Sequence, residues 1–271
     1  MATGCRWQRR ARDPRRTVKS LCDTRGVNLN VSDRHLKLAV ISDLHADLPA
    51  LDDALVQVRR LECDALVCAG DLLDGGVFPD EVIARLVAER IPTIRGNHDR
   101  WALERSRGHQ SPEMFGGGWD LAPASLDFLH SLPTKLMLDL EGALVAVHHA
   151  RPDSDMDGIY ADLISPGELD RLLGLAGADI LVVGHTHIPF ALRGPDGGLV
   201  VNPGTLWRGQ EDAATFAMID ADGKAEERRW AGGGTFGVLH LPEREFRVHR
   251  ASDGTKLEVP LTTAGVSRSL K

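Results

Sequence analysis

The chain has 271 residues, of which 42% are hydrophobic, and a net charge of −7; it holds enough apolar material for one substantial core in one or two domains. No apolar run approaches the roughly 18 residues of a membrane span, so no membrane partner is expected. The four cysteines, Cys5, Cys22, Cys63 and Cys68, form neither a CxxC pair nor a dense framework, which argues against a disulfide scaffold and fits reduced thiols in the cytoplasm.

Residues 1–35 carry nine Arg or Lys against three Asp. They lack the apolar stretch of a secretory signal and read as a basic, disordered extension. The rest of the chain is then acidic, at −13, which counts against nucleic acid as a general partner.

From Leu36 onward strand-like and helix-like segments alternate. After the apolar run Leu38–Ile41, Asp47-Leu48-Pro49 opens a helix through Leu61, with Asp47 as N-cap and Leu51, Ala54, Leu55 and Val58 on one face. A strand at Ala65–Ala69, a helix from about Asp80 to Glu89 and a strand at Ile91–Arg95 complete a βαβαβ order, which implies parallel pairing under covering helices. The polar, Gly-rich stretch Arg100–Gly118 reads as a loop or lid, and Leu121–Leu132 as a short helix stopped by Pro133. Lys135–Leu140 and Ala143–Val147 form a hairpin around Glu141-Gly142, and Ser165-Pro166-Gly167-Glu168 caps a helix through Leu173. Ile180–Val183 is a further strand, and Phe190–Arg193 with Leu199–Val201 a second hairpin. Thr215–Asp220 is echoed by Thr235–His240 across the linker Ala231–Gly234, which suggests two edge hairpins of a second sheet. Beyond Val259 the tail is expected to fray. The domain therefore spans 36–259, between the 1–35 extension and a 260–271 tail.

Five polar clusters each follow an apolar run: Asp43-Leu44-His45, Gly70-Asp71, Gly96-Asn97-His98-Asp99, His148-His149 and Gly184-His185-Thr186-His187. An apolar run that ends in Gly and polar residues is what a buried strand looks like as it leaves its sheet. Carboxylates, imidazoles and one amide gathered at several strand ends suit hard and borderline divalent metals.

Taken in order, Asp-x-His, Gly-Asp, Gly-Asn-His-Asp, His and Gly-His-x-His resemble the calcineurin-like metallophosphoesterase superfamily, in particular its small prokaryotic phosphoesterases. The resemblance runs from about Leu36 to His249. It implies an α/β fold, a four-layer α/β/β/α sandwich of two mixed sheets flanked by helices. It also implies two divalent metal ions, Mn²⁺ first, with Fe²⁺, Zn²⁺ or Ni²⁺ as alternatives. Asp43, His45 and His187 would hold one; Asn97, His185 and a histidine of the His148-His149 pair would hold the other; Asp71 would bridge them. The family usually places a small residue after that last histidine and a proline soon after, so His149, followed by Ala150-Arg151-Pro152, is preferred to His148. His148 then ends its strand.

The same resemblance gives His98 a catalytic role beside the scissile bond, stabilising the phosphate or protonating the leaving oxygen, with Asp74 orienting it. An unperturbed pKa of about 6.5 suits that work. The alternative for Asp74 is a turn-capping residue in Asp74-Gly75-Gly76, and for Asp99 a helix or turn cap. Asn202-Pro203-Gly204-Thr205 resembles a family segment that shapes the site without ligating. Arg100, Trp101 and Arg151 lie near enough in sequence to contact a substrate phosphate or leaving group.

The implied activity is hydrolysis of phosphodiesters or phosphomonoesters by in-line attack of a metal-bridging hydroxide on a small phosphate-ester substrate. Two other readings use the same fold: a protein-binding scaffold, like the retromer's metallophosphoesterase-like subunit, or a nuclease. The presence of His98 disfavours the first, and the acidic body disfavours the second.

Overall fold

The computed structural model describes residues 36–109, 120–140, 142–209, 214–219, 225–230, 234–241, 243–257 and 261–263. The expected basic extension, residues 1–35, lies outside them, as does the linker over 231–233. In chain order the elements are β1 (Lys37–Ile41), α1 (Leu48–Arg60), β2 (Ala65–Cys68), α2 (Pro79–Ala88), α3 (Asn97–Ser106), α4 (Pro123–Ser131), β3 (Lys135–Leu140), β4 (Ala143–His148), α5 (Pro166–Ala176), β5 (Ile180–Val182), β6 (Phe190–Arg193), β7 (Leu199–Asn202), β8 (Ala214–Ile219), β9 (Ala225–Trp230), β10 (Thr235–His240), β11 (Glu245–Arg250), β12 (Lys256–Leu257) and β13 (Leu261–Thr263). They make one sheet in the order β12-β11-β10-β1-β2, a second in the order β13-β6-β7-β5-β4-β3, and the separate pair β8-β9.

The period-2 alternation of strand side chains divides the apolar residues among three cores. In β1, Leu38 and Val40 point into a layer shared with Val145, Val147, Ile180, Val182 and Val201, so this core lies between the two sheets. Ala39 and Ile41 point the other way, onto Leu51 and Leu55 of α1, Leu86 of α2 and Leu129 of α4. On the far face of the second sheet, Ala146, Leu181 and Val200 pack against Leu169, Leu172 and Leu173 of α5. Helices, sheet, sheet and helix therefore stack in four layers, the expected sandwich, and both sheets mix parallel and antiparallel neighbours.

The strands that matter for the site run parallel. β1 and β2 pair with Leu38 opposite Ala65 and Ile41 opposite Cys68, and β4, β5 and β7 pair in parallel in the second sheet. The turns after β1, β2, β4 and β5 thus open on one rim, the place where such sheets gather polar groups.

Four expectations change. Ile91–Arg95 makes only an isolated parallel bridge, Cys68 with Thr93. Pro92 lends its carbonyl to the Cys68 amide but has no N–H to give, and the Arg95 amide turns away to the Pro133 carbonyl. The start of the Arg100–Gly118 stretch belongs to helix α3, which begins at Asn97; the Asp99 carboxylate accepts from the Gly96 amide at 2.9 Å and closes the first turn. Residues 110–119 lie outside the described residues. The two echoing segments do not form matching edge hairpins. β10 sits between β1 and β11 inside the first sheet, whereas among the described residues β8 pairs only with β9. Leu261–Thr263, expected to fray, pair in parallel with β6 as β13.

Candidate metal centre

The backbone at the rim is held in an unusual conformation. Asp43, His45, Asp71, Asp74, His185 and His187 all have φ between 46° and 78°, a left-handed region that costs a non-glycine residue of order 1–3 kcal/mol and persists only where surrounding contacts impose it. Those contacts are visible. The Asp43 amide donates to the Gly70 carbonyl at 2.9 Å, the Leu44 and His45 amides donate to the Asp71 carbonyl at 2.8 and 3.1 Å, and the Asp43 carboxylate accepts from the His185 amide at 3.0 Å. The turns after β1, β2 and β5 thereby tie one another. Gly96 and Gly184 let them approach: a Cβ on Gly96 would overlap the Asp71 carboxylate, and one on Gly184 would overlap the Ser42 hydroxyl.

Donor atoms converge in three overlapping groups: Asp43, His45 and His187; His45, Asp71 and His98; and Asp71, His149 and His185, each within 4.8 Å. In the first group His187 Nε2 lies 3.0 Å from His45 Nε2 and 3.3 Å from Asp43 Oδ1. In the third, His149 Nε2 lies 3.1 Å from Asp71 Oδ2 and 2.9 Å from Asn97 Oδ1, which is itself 2.9 Å from His185 Nδ1. His45 links the first group to the second, and Asp71 links the second to the third. The structure thus brings together all seven residues of the expected ligand set.

The far side of each ring reveals what the cluster suits. His45 Nδ1 donates to the Leu73 carbonyl at 2.9 Å, His149 Nδ1 to the Ala69 carbonyl at 2.8 Å and His185 Nε2 to the Met156 carbonyl at 2.8 Å. A carbonyl can only accept, so each of these nitrogens carries the ring proton and the opposite nitrogen presents a lone pair inward. The inward partners are acceptors too: an amide oxygen, carboxylate oxygens and another imidazole. Lone pairs converging on lone pairs call for a cation between them, and the O/N donor set suits a divalent metal. Protonation shows the same demand. Burial holds the His45 imidazole down at about 4, that is, neutral. Burial opposes charge on His149 as well, but the Asp71 and Asp43 carboxylates outweigh it and push His149 up to about 10, a proton sitting where a cation would.

His98 differs. Its Nδ1 lies 2.9 Å from Asp74 Oδ2, a carboxylate and not a carbonyl, and its Nε2 lies 3.9 Å from Asp71 Oδ2. Burial lowers its pKa, but the Asp74 hydrogen bond and the Asp71 charge outweigh that and raise it. The ring is therefore set up to carry a proton. Asp99, read from sequence as a cap, accepts from the Asp71, Leu72 and Gly96 amides at 3.1, 2.9 and 2.9 Å and so fixes the turn that presents Asp71. Burial and the neighbouring Asp71 charge push Asp99 up to about 6.

Strand parity separates the two adjacent histidines. Val145 and Val147 of β4 face the inter-sheet core and Ala146 faces α5; His148 continues the outward parity, and its buried Nε2 has no hydrogen-bond partner. His149 is the first residue past the strand and turns inward. His149→Ala should therefore lower bound metal per chain, measured by elemental analysis, and His148→Ala should leave it unchanged.

Sequence reasoning missed the supporting groups, because backbone carbonyls carry no residue signature. The Asn202–Thr205 segment, by contrast, stands out in the sequence: Asn202 Nδ2 donates to the Gly184 carbonyl at 2.7 Å and the Thr205 hydroxyl to the Asp43 carbonyl at 2.8 Å. Trp207 and Trp101 flank the cluster, with ring centroids 5.4 Å from His45 and 4.8 Å from His98. Arg100 and Arg151 turn to carboxylates of the protein: Arg100 to Asp155 and Glu104, Arg151 to Glu168 and Asp153.

Comparison with known proteins agrees with this geometry. The uncharacterized protein MJ0912 of Methanocaldococcus jannaschii is 28% identical over 179 residues, covering 63% of this chain and 70% of that protein. Among solved structures, a metallophosphoesterase from Sphaerobacter thermophilus superposes with a TM-score of 0.56 at 20% identity, covering 84% of this chain and 90% of its own. The hypothetical protein PH1004 from Pyrococcus horikoshii OT3 superposes with a TM-score of 0.62 at 16% identity, covering 79% and 87%. At those identities the likeness is one of fold. Residues 36–224 match the calcineurin-like phosphoesterase superfamily domain, a span that carries every strand end of the rim and all of its Asp, Asn and His residues, and on that match the chain belongs to the calcineurin-like phosphoesterase superfamily.

Proposed function

We propose that this protein is a phosphoesterase that uses two divalent metal ions to hydrolyse phosphodiesters or phosphomonoesters. The observation that carries the reading is the sharing of Asp71 between two donor groups, with imidazole lone pairs turned inward on both sides. Asp43, His45 and His187 would hold one ion, Asn97, His149 and His185 the other, and Asp71 both. Metal ions bound there supply positive charge for the phosphate oxygens and make a nucleophile from water near neutral pH. His98 would contribute what the ligands cannot: a proton held at Nε2, aimed across the cluster by the Asp74 bond to Nδ1. Burial of both aspartates of the ligand set keeps bulk water from screening these charges.

Manganese is the preferred ion within this reading, with iron, zinc or nickel as alternatives, and a small phosphate ester is the substrate. The free thiols of Cys63 and Cys68 suit a cytoplasmic location, and no helix of the described residues is long and apolar enough to cross a membrane. Hydrolysis of bis-p-nitrophenyl phosphate and of p-nitrophenyl phosphate, measured across Mn²⁺, Fe²⁺, Zn²⁺ and Ni²⁺, tests the proposal. Turnover of at least one ester with an active ion is expected. Two bound ions with no turnover of either ester would favour a scaffold on the same fold. Because binding to the folded state alone stabilises it, the active ion should also raise Tm by several degrees and a chelator should reverse the rise.

A further inference from the structure

We propose that Arg100 is a positioning residue that fixes His185 as a metal ligand, acting through Asp155 and the carbonyl of Met156. This inference rests on the two-ion reading above. It predicts which ion depends on Arg100: the one held by Asp71, Asn97, His149 and His185.

Arg100 lies one turn along α3 from Asn97. Its Nε donates to Asp155 Oδ2 at 2.7 Å and its Nη2 to Asp155 Oδ1 at 3.2 Å, a two-pronged pairing, while Nη1 donates to Glu104 Oε1 at 2.9 Å. With the guanidinium occupied by two carboxylates, Arg100 is better placed to hold the protein than to hold a substrate phosphate. Asp155 sits in a turn that ties itself. The Ser154 hydroxyl accepts from the Met156 and Asp157 amides at 3.2 and 3.1 Å, and the Arg151 amide donates to the Asp157 carbonyl at 3.2 Å. The next residue, Met156, gives its carbonyl to His185 Nε2 at 2.8 Å, and His185 Nδ1 returns to Asn97 Oδ1 at 2.9 Å. The path closes on itself: α3 holds Asn97 on the metal side of His185 and, through Asp155 and Met156, the opposite side of the same ring.

His185 needs this more than its fellow ligands do. The carbonyls behind His149 and His45 belong to Ala69 and Leu73, both buried. The carbonyl behind His185 comes from an exposed turn, with Met156 44% exposed. His185 itself is half-buried and has φ of 66°. Without a fixed acceptor at Nε2 the ring is free to exchange tautomers and rotate, and the inward lone pair at Nδ1 is lost.

The test uses Arg100→Met, which keeps the aliphatic stem, Asp155→Asn, and Arg100→Lys, which keeps the charge without the fork. Metal binding to the full-length protein is measured by Mn²⁺ titration, and the His185 tautomer in the metal-free protein by ¹⁵N NMR. Loss of an outer partner of a ligating histidine typically weakens metal binding about ten- to a hundredfold. Arg100→Met and Asp155→Asn should each weaken one of the two ions by that factor and leave the other at its wild-type affinity, with Arg100→Lys between. The Nε2–H signal of His185 should lose intensity in the first two, and turnover lost at limiting Mn²⁺ should return at excess Mn²⁺. Superimposable titrations for wild type and variants overturn the inference, as does a raised substrate KM with both metal affinities intact, which would make Arg100 a substrate contact. A wild type that binds fewer than two ions overturns the two-ion reading and this inference together; two ions in every variant at wild-type affinity overturns the inference alone.

Discussion

Asp71→Asn should abolish hydrolysis, by at least about a thousandfold in kcat/KM, and reduce bound metal below two ions per chain. The substitution is nearly isosteric, so the effect comes from charge and not from shape. Asp71 is buried, its Oδ1 accepts from the His98 amide at 2.9 Å, and its Oδ2 lies 3.1 Å from His149 Nε2. Burial alone would favour the neutral acid, but the His149 charge outweighs it and holds the carboxyl well below the usual carboxylate range. It is therefore ionised near neutral pH. An amide offers one poor acceptor in place of two anionic oxygens, and two dications would share the cleft with one negative charge fewer. Circular dichroism should show the fold retained, because Asp99 and not Asp71 secures the amides of that turn. Metal content by elemental analysis and rate on bis-p-nitrophenyl phosphate check the two expectations separately. Normal metal content with lost activity would deny Asp71 its shared role.

The strand ends were legible because a buried parallel strand has a plain signature: β-branched or small apolar residues, then glycine and polar residues. That signature marks Asp43, Asp71, the His148-His149 pair and His185, and their order in the chain points to one rim. It misled at Ile91–Arg95, where the apolar run is right but Pro92 withdraws the amide that a full strand needs. Helix α3 was hidden for the opposite reason. Asn97, His98 and Asp99 are weak helix formers, and the helix exists there because Asp99 caps it and because Ala102 and Leu103 pack into the core. The echo of Thr215–Asp220 in Thr235–His240 was real as a pattern and empty as topology, because short apolar runs look alike in sequence whichever strand they pair with. What the sequence leaves silent is the work of the main chain. The carbonyls of Leu73, Ala69 and Met156 choose the tautomers of His45, His149 and His185, and any residue type supplies a carbonyl. The left-handed φ of six site residues is equally invisible in Asp and His side chains, although both tolerate that region better than bulky residues do.

His98→Ala should keep both metal ions and lose turnover by about 10²- to 10⁴-fold, the usual worth of a general acid. The ring is half-buried at the edge of the cluster, T-shaped against His45 at 4.9 Å, and close enough to Asp71 to count among possible ligands. Its other contact decides against ligation. Asp74 grips Nδ1 at 2.9 Å and favours the protonated ring, whereas His45, His149 and His185 face neutral carbonyls. A ligand variant loses metal; an acid variant does not. Leaving-group chemistry separates an acid from a group that only binds phosphate. p-Nitrophenolate departs without a proton, so His98→Ala should slow bis-p-nitrophenyl phosphate much less than an ester of a simple alcohol, which cannot leave as alkoxide. Asp74→Asn gives the pH arm of the same test. Removing the carboxylate withdraws support for the imidazolium, so the pKa of His98 falls and the fraction protonated at a given alkaline pH falls with it. The basic limb of the pH–rate profile should then move to lower pH in Asp74→Asn and vanish in His98→Ala. Equal slowing of both ester types, with the basic limb unmoved, would remove His98 from proton transfer and leave it a phosphate contact.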